Sequence, residues 1–98
     1  MFVNVIKTYR DIVAVCDTEL LGKKFEKGKF QLDVKENFFR GEEMNEDEVI
    51  DLLCKKALED STFNIIGRKA ITSAIKAGII SEEDVGEIEN IPFALVLI

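Results

Sequence analysis

The chain has no histidine and no tryptophan, one tyrosine, one proline and two cysteines. Without histidine it lacks the side chain that ordinarily titrates closest to neutral pH, and so the usual proton shuttle and a principal zinc donor. Cys16 and Cys54 stand too far apart for a Cys-x-x-Cys metal or redox motif, and no imidazole is available to activate either as a nucleophile. They are expected to be two buried thiols that act as small hydrophobes. A disulfide would require their elements to be adjacent, and an intracellular setting opposes it. No Gly-x-Ser-x-Gly, Walker or dinucleotide fingerprint is present. No apolar run approaches the roughly 20 residues needed to cross a bilayer. Asn4 and Lys7 interrupt the apolar residues at the amino end, so no signal peptide is read there. These absences lead to the expectation of a cytoplasmic protein with no cofactor, metal or membrane contact, leaning away from an enzyme.

What is present suits one folded domain spanning residues 1–98. Hydrophobic residues make up 47% of the chain and charged residues 33%, and the apolar positions are spread throughout, which opposes disorder. The net charge is −6, unevenly placed: residues 1–40 hold eight Lys/Arg against six Asp/Glu, whereas residues 41–98 hold five against thirteen. Proteins that wrap duplex nucleic acid are usually basic overall, so only a local patch here suits RNA or DNA.

The elements can be placed by pattern. "FVNVIKTY" and "DIVAVC" read as two strands rich in β-branched residues, joined at Tyr9-Arg10. Asp17 is expected to cap a short helical turn over "TELLGKKF" that Gly28 ends. "FQLDVK" alternates as a half-buried strand, and "ENFFRGEEMN" continues it as a loop turning at Gly41. Asn45-Glu46-Asp47-Glu48 has the form of a capping box, with Met44 and Val49 as its hydrophobic staple. It opens a helix over 46–59 with the stripe Ile50, Leu53, Cys54 and Ala57. "TFNII" leads through Gly67 into a second helix with Ile71, Ala74 and Ile75 inward and Gly78 as its left-handed cap. Ser81 to Asp84 repeats the capping box. The end reads as a hairpin turning at Glu89-Asn90, with Pro92 at an edge or at a strand's first residue. Strands at both ends with helices between favour an α+β two-layer sandwich, a mainly antiparallel sheet with the two main helices on one face. "FALVLI" is apolar on both sides, so it is central or meets another subunit.

Four stretches in register, "CDTELLGKKFEKG", "FQLDVKENFFRGEEMNEDEV", "FNIIGRKAITSAIKAGII" and "VGEIENIP", resemble the archaeal family known as domain of unknown function 424. Phe38-Phe39-Arg40-Gly41 is similar to its Phe-Tyr-x-Gly segment and Asn64-Ile65-Ile66-Gly67 to its Asn-aliphatic-aliphatic-Gly segment. The resemblance implies an α+β fold and an archaeal, cytoplasmic setting, and supplies no activity. Family members often carry Val-Pro-His-Ala-Gln near the end. Here Phe93 and Leu95 stand where His and Gln would, so a function resting on that His is in doubt.

Two basic sets are candidate anion or nucleic-acid sites. Around Asn64 and Gly67, the turn Gly67-Arg68-Lys69-Ala70 differs in one residue from the Gly-x-x-Gly clamp of RNA-binding KH domains. Ala70 replaces the second glycine, and its Cβ crowds the approach of a phosphate. The bland alternative is that Gly67 serves the turn and Arg68 and Lys69 are solvated. In "GKKFEKGKF", Lys23, Lys24, Lys27 and Lys29 interleave with Phe25 and Phe30, a pattern that suits single-stranded nucleic acid or simply a solvated loop anchored by its phenylalanines. The acidic set Glu42, Glu43, Glu46, Asp47, Glu48 and Asp51 does not match an EF-hand spacing and is explained by helix capping. The sequence favours a non-catalytic binding or adaptor domain acting on a protein partner or on itself. The surfaces to watch are the last strand, the Phe38-Phe39 loop and the Lys23–Lys29 patch. The alternatives are an RNA-associated accessory protein and an enzyme whose site forms at a subunit interface.

Overall fold

A parallel pairing of two strands distant in sequence, Ile12–Cys16 and Thr62–Ile66, holds the centre of the fold. A computed structural model describes residues 1–97. In chain order the strands are β1 (Phe2–Ile6), β2 (Ile12–Cys16), β3 (Lys24–Lys27), β4 (Phe30–Asp33), β5 (Glu42–Glu43), β6 (Thr62–Ile66), β7 (Gly86–Ile88) and β8 (Ile91–Val96). The helices are α1 (Glu36–Phe39), α2 (Glu46–Leu58) and α3 (Arg68–Lys76). Six strands form one sheet in the order β5-β1-β2-β6-β8-β7, and β3 and β4 form a second. Every pairing except β2–β6 is antiparallel. The protein is thus a small mixed α/β domain with a six-stranded sheet, a two-stranded sheet and three helices among the described residues. Ile98, the end of the expected last strand, lies outside them.

The strands alternate, so the sheet feeds two apolar clusters. Val13 and Val15 of β2, with Val3, Phe63, Ile65 and Ala94, pack against Val49 and Leu53 of α2 and Ala70, Ile71 and Ala74 of α3. Ala14 and Cys16, facing the other way, join Ile66 and Ile88 under Leu32 of β4, Val34 and Phe39 of α1. Burial on both faces accounts for the continuous apolar run at residues 12–16. The second face is thus covered by β4 and α1, where the sequence led to the expectation of a two-layer sandwich with its helices on one face.

Several local expectations change. "TELLGKKF" is helical only in a single 3-10 turn, Thr18–Leu20, after which Lys24 to Lys27 is a strand. Gly28, at φ +60°, takes the first central position of a two-residue turn that brings Phe30 opposite Lys27, the geometry of a glycine-led type II′ hairpin. "ENFFRGEEMN" contains the short helix α1 and the edge strand β5, which pairs with β1, where a loop was expected. The α2 stripe is rotated by one position: Val49, Leu53 and Lys56 are buried and Cys54 is exposed. Both cysteines are free, Cys16 alone being buried.

Other signals hold. Asn45 accepts from the Glu48 N–H at 2.9 Å while Glu48 accepts from the Asn45 N–H at 3.0 Å, completing the capping box of α2. Glu89 and Asn90 take φ +50° and +66° in the β7–β8 turn, the pair of positive angles a type I′ turn requires. Pro92, expected at an edge or at a strand's first residue, instead stands second in β8, a strand flanked by β6 and β7. It is tolerated there because its carbonyl accepts from the Gly67 N–H at 2.9 Å, while the Gly67 carbonyl opposite already accepts from Ile71 in α3. The missing N–H forfeits the reciprocal bond of that pair but leaves no carbonyl without a donor.

Candidate functional site

The helix start at Gly67 can be built from β2 and β6, which run side by side and end together. Asp17, one residue beyond β2, donates its N–H to the Ile66 carbonyl at 3.1 Å. Its carboxylate then reaches the first turn of α3, accepting from Lys69 N–H at 3.1 Å and Ala70 N–H at 2.9 Å. Gly67, in the N-cap position, has no side chain to cap the helix, so Asp17 does so from a neighbouring strand. It places a negative group where the helix dipole is positive. Asp17 does not cap the 3-10 turn that follows it. Ala70 is fully buried, and an external anion at this helix start would meet the Asp17 carboxylate in its place.

The basic residues flanking that turn diverge. Arg68 donates through Nη2 to the Asn90 carbonyl at 3.2 Å, tying α3 to the β7–β8 turn. Lys69 lines a recess with Met1, Met44, Asn45 and Glu46. Asn64 lies mid-strand in β6, half-buried between Ala14 and Leu95, and does not join the turn.

The hairpin lysines are all exposed, Lys23 at its base, Lys24 and Lys27 in β3 and Lys29 in the turn. Lys24 approaches Glu26 at 3.8 Å, whereas Lys23, Lys27 and Lys29 have no ion pair among the described residues. The structure brings Lys27 and Lys29 to one feature, a groove of about 600 Å³ between the hairpin tip and β7–β8. Phe30, 72% exposed, forms one wall; Ile88 and Phe93 form the other, with Glu87 at the rim. Gly86 and Phe93 are cross-strand partners. A Cβ on Gly86 would lie 2.7 Å from Phe93 Cζ, so the ring rests across the glycine. The hairpin is held in position by the Glu26 N–H, which donates to Glu89 Oε2 at 2.8 Å. The turn Glu89-Asn90 therefore anchors both the lysine hairpin and Arg68.

Sequence reasoning identified the lysines and missed the facing wall. The available signal was Gly86 at fixed register from Phe93 across a two-residue turn, and it becomes legible only once that register is set.

Two further charged groups serve the fold. Lys56, in the buried stripe of α2, donates to Asp11 at 3.0 Å and Glu59 at 3.2 Å, and Lys7 also reaches Asp11 at 3.0 Å. The Lys56 and Lys7 ammonium groups hold the Asp11 carboxyl below its usual range, and Asp11 in turn raises that of Lys56. Of the acidic set, Glu48 caps α2 and Glu46 pairs with Lys76 at 3.1 Å.

Residues 6–98 match the family described as "Protein of unknown function (DUF424)". The chain belongs to this family. The resemblance read from the four stretches in register is borne out over nearly the whole length of this DUF424 chain. A crystal structure of an uncharacterized conserved protein from Methanopyrus kandleri is similar in fold, with a TM-score of 0.87 and 24% identity, covering 97% of this chain and 88% of that one. Among curated proteins, none matches this DUF424 chain. Among the described residues, no helix is long and apolar enough to cross a membrane.

Proposed function

We propose that this DUF424 protein is a non-catalytic binding domain whose ligand seats in the groove between the β3–β4 turn and β7–β8. The observation that carries the reading is Phe30, an aromatic side chain left 72% exposed on one wall of an apolar groove and flanked by Lys27 and Lys29. Small hydrophobes scattered singly on a surface need no explanation, whereas an exposed ring lining a concave apolar wall beside unpaired cations is a recognition surface. The ligand of first choice is a protein partner, because the acidic balance of residues 41–98 opposes a polyanion. Single-stranded RNA is the second reading, favoured by the same ring and lysines, since stacking on an exposed aromatic beside cations is how such strands are held.

Gel filtration of the tagged chain in lysate from its own host, with and without ribonuclease, tests the proposal when the wild type is run beside Phe30→Ala. A large complex that survives ribonuclease and disappears with Phe30→Ala supports a protein ligand in the groove. Collapse under ribonuclease selects the RNA reading. A complex unchanged by Phe30→Ala places recognition elsewhere.

A further inference from the structure

The walls of the groove specify more than an apolar ligand. The two-residue turn Glu89-Asn90 makes Ile88 and Ile91 a hydrogen-bonded pair, and Gly86 and Phe93 are the next such pair along the ladder. Glu87, between them, therefore turns its N–H and C=O away from β8. They face the open edge of the six-stranded sheet, beside the groove. A free donor and acceptor on a sheet edge form a template for another extended chain. A strand laid there would also send alternate side chains to one side, into the apolar hollow between Phe30, Ile88 and Phe93.

The charges are polarised across the same hollow. Lys27 and Lys29 stand on the hairpin side with no ion pair among the described residues. Glu87 lies on the opposite rim, and Glu89 is beyond it, its carboxylate already accepting from Glu26. An incoming carboxylate is drawn to the hairpin side and repelled from the β7 side, which fixes the lateral register of a peptide.

We propose that the groove takes an extended acidic peptide. Its backbone pairs with Glu87, one aromatic or branched apolar side chain seats against Phe30, Ile88 and Phe93, and its carboxylates face Lys27 and Lys29. This inference rests on the groove reading above and adds the class of partner. RNA fits less well: it offers no backbone amide rhythm to match Glu87, and its phosphates would face Glu87 and Glu89 as well as the lysines.

The test is selection of a phage-displayed library of random short peptides on the full chain, followed by fluorescence polarisation with an enriched peptide. The expected enrichment is Asp and Glu around one aromatic or branched apolar residue. Phe30→Ala is expected to weaken the enriched peptide roughly tenfold or more, the loss of one buried apolar contact. Lys27→Ala with Lys29→Ala should weaken it roughly fivefold, and more at low salt than at high. Glu87→Pro, which removes the outward N–H and leaves the β7–β8 ladder intact, should weaken it, whereas Glu87→Ala should not. No enrichment, or enrichment of peptides without acidic residues, overturns the acidic-peptide class. So does binding that falls with Phe30→Ala yet is indifferent to the lysine and proline variants, although the groove reading then stands. Peptides that bind Phe30→Ala as tightly as wild type overturn both. A short oligouridylate that binds through Phe30 when no peptide does overturns the peptide in favour of RNA.

Discussion

The Asp17 carboxylate fills the space that a side chain at position 67 would need: a Cβ on Gly67 would lie 2.4 Å from Asp17 Cγ. Gly67 also holds φ +114° and ψ 158°, a region open essentially to glycine alone. Gly67→Ala is expected to cost at least ~2 kcal/mol, strain and steric overlap together. Asp17→Ala should cost ~1–2 kcal/mol as a lost cap. Because the two changes share one space, the alanine at 67 should be less damaging once the carboxylate is gone. Urea unfolding of the two single variants and the double variant measures this coupling; strict additivity would contradict the geometry.

The Asp11–Lys56 pair predicts a pH dependence confined to the extremes. The Lys56 and Lys7 ammonium groups lower the Asp11 carboxyl from its usual 3.8. The unfolded chain therefore binds the proton more readily, and stability present above that value is lost as pH falls through it and below. Asp11, with the Glu59 carboxylate beside it, raises Lys56 above its usual 10.5, so its contribution is complete at neutral pH and is lost only as pH rises beyond that value. Urea midpoints should be flat with respect to this pair between about pH 5 and 9. Asp11→Asn should flatten the acid limb; an unchanged acid limb would remove the pair as its cause.

The thiols should separate cleanly. Burial, with the neighbouring Asp17 charge second, pushes the Cys16 thiol up to about 11, while Cys54 is exposed near the α3 end, its Sγ 3.7 Å from the Ala77 carbonyl. A thiol reagent at neutral pH should label Cys54 promptly and Cys16 only on unfolding, as mass spectrometry of the labelled chain would show. Equal labelling rates would mean that the second cluster opens readily.

The groove walls should differ in stability. Phe30→Ala, at an exposed position, should change folding by less than ~0.5 kcal/mol, whereas Phe93→Ala uncovers Gly86 and Ile88 and should cost ~1–2 kcal/mol. Thermal melts of the two variants would show it, and a severe loss with Phe30→Ala would make that ring structural.

What was legible in the sequence was local. The Asn45–Glu48 box and the Glu89-Asn90 turn depend on residues three or fewer positions apart, and both formed as their patterns indicate. The α2 stripe was misread by one position because Lys56 looks polar in sequence. Its stem is buried and its charge is met by Asp11, 45 residues away. The helix expected at "TELLGKKF" gave way to a hairpin because Gly28 leads a turn, a signal that competes with helix termination at the same residue. The cap of α3 comes from 52 residues upstream in sequence, beyond the reach of any local rule.

The central β2–β6 pairing also bears on how the chain reaches this structure. The hairpins β1–β2 and β7–β8 have partners close in sequence and can form early, whereas Ile12 meets Thr62 only after the whole excursion between them is gathered in. Closing that loop is an entropic toll rising slowly with its length, ~0.6 kcal/mol per doubling. Refolding should therefore wait on the docking of β6, and shortening the β3–β4 hairpin should change the rate of folding less than a weakened contact between β2 and β6.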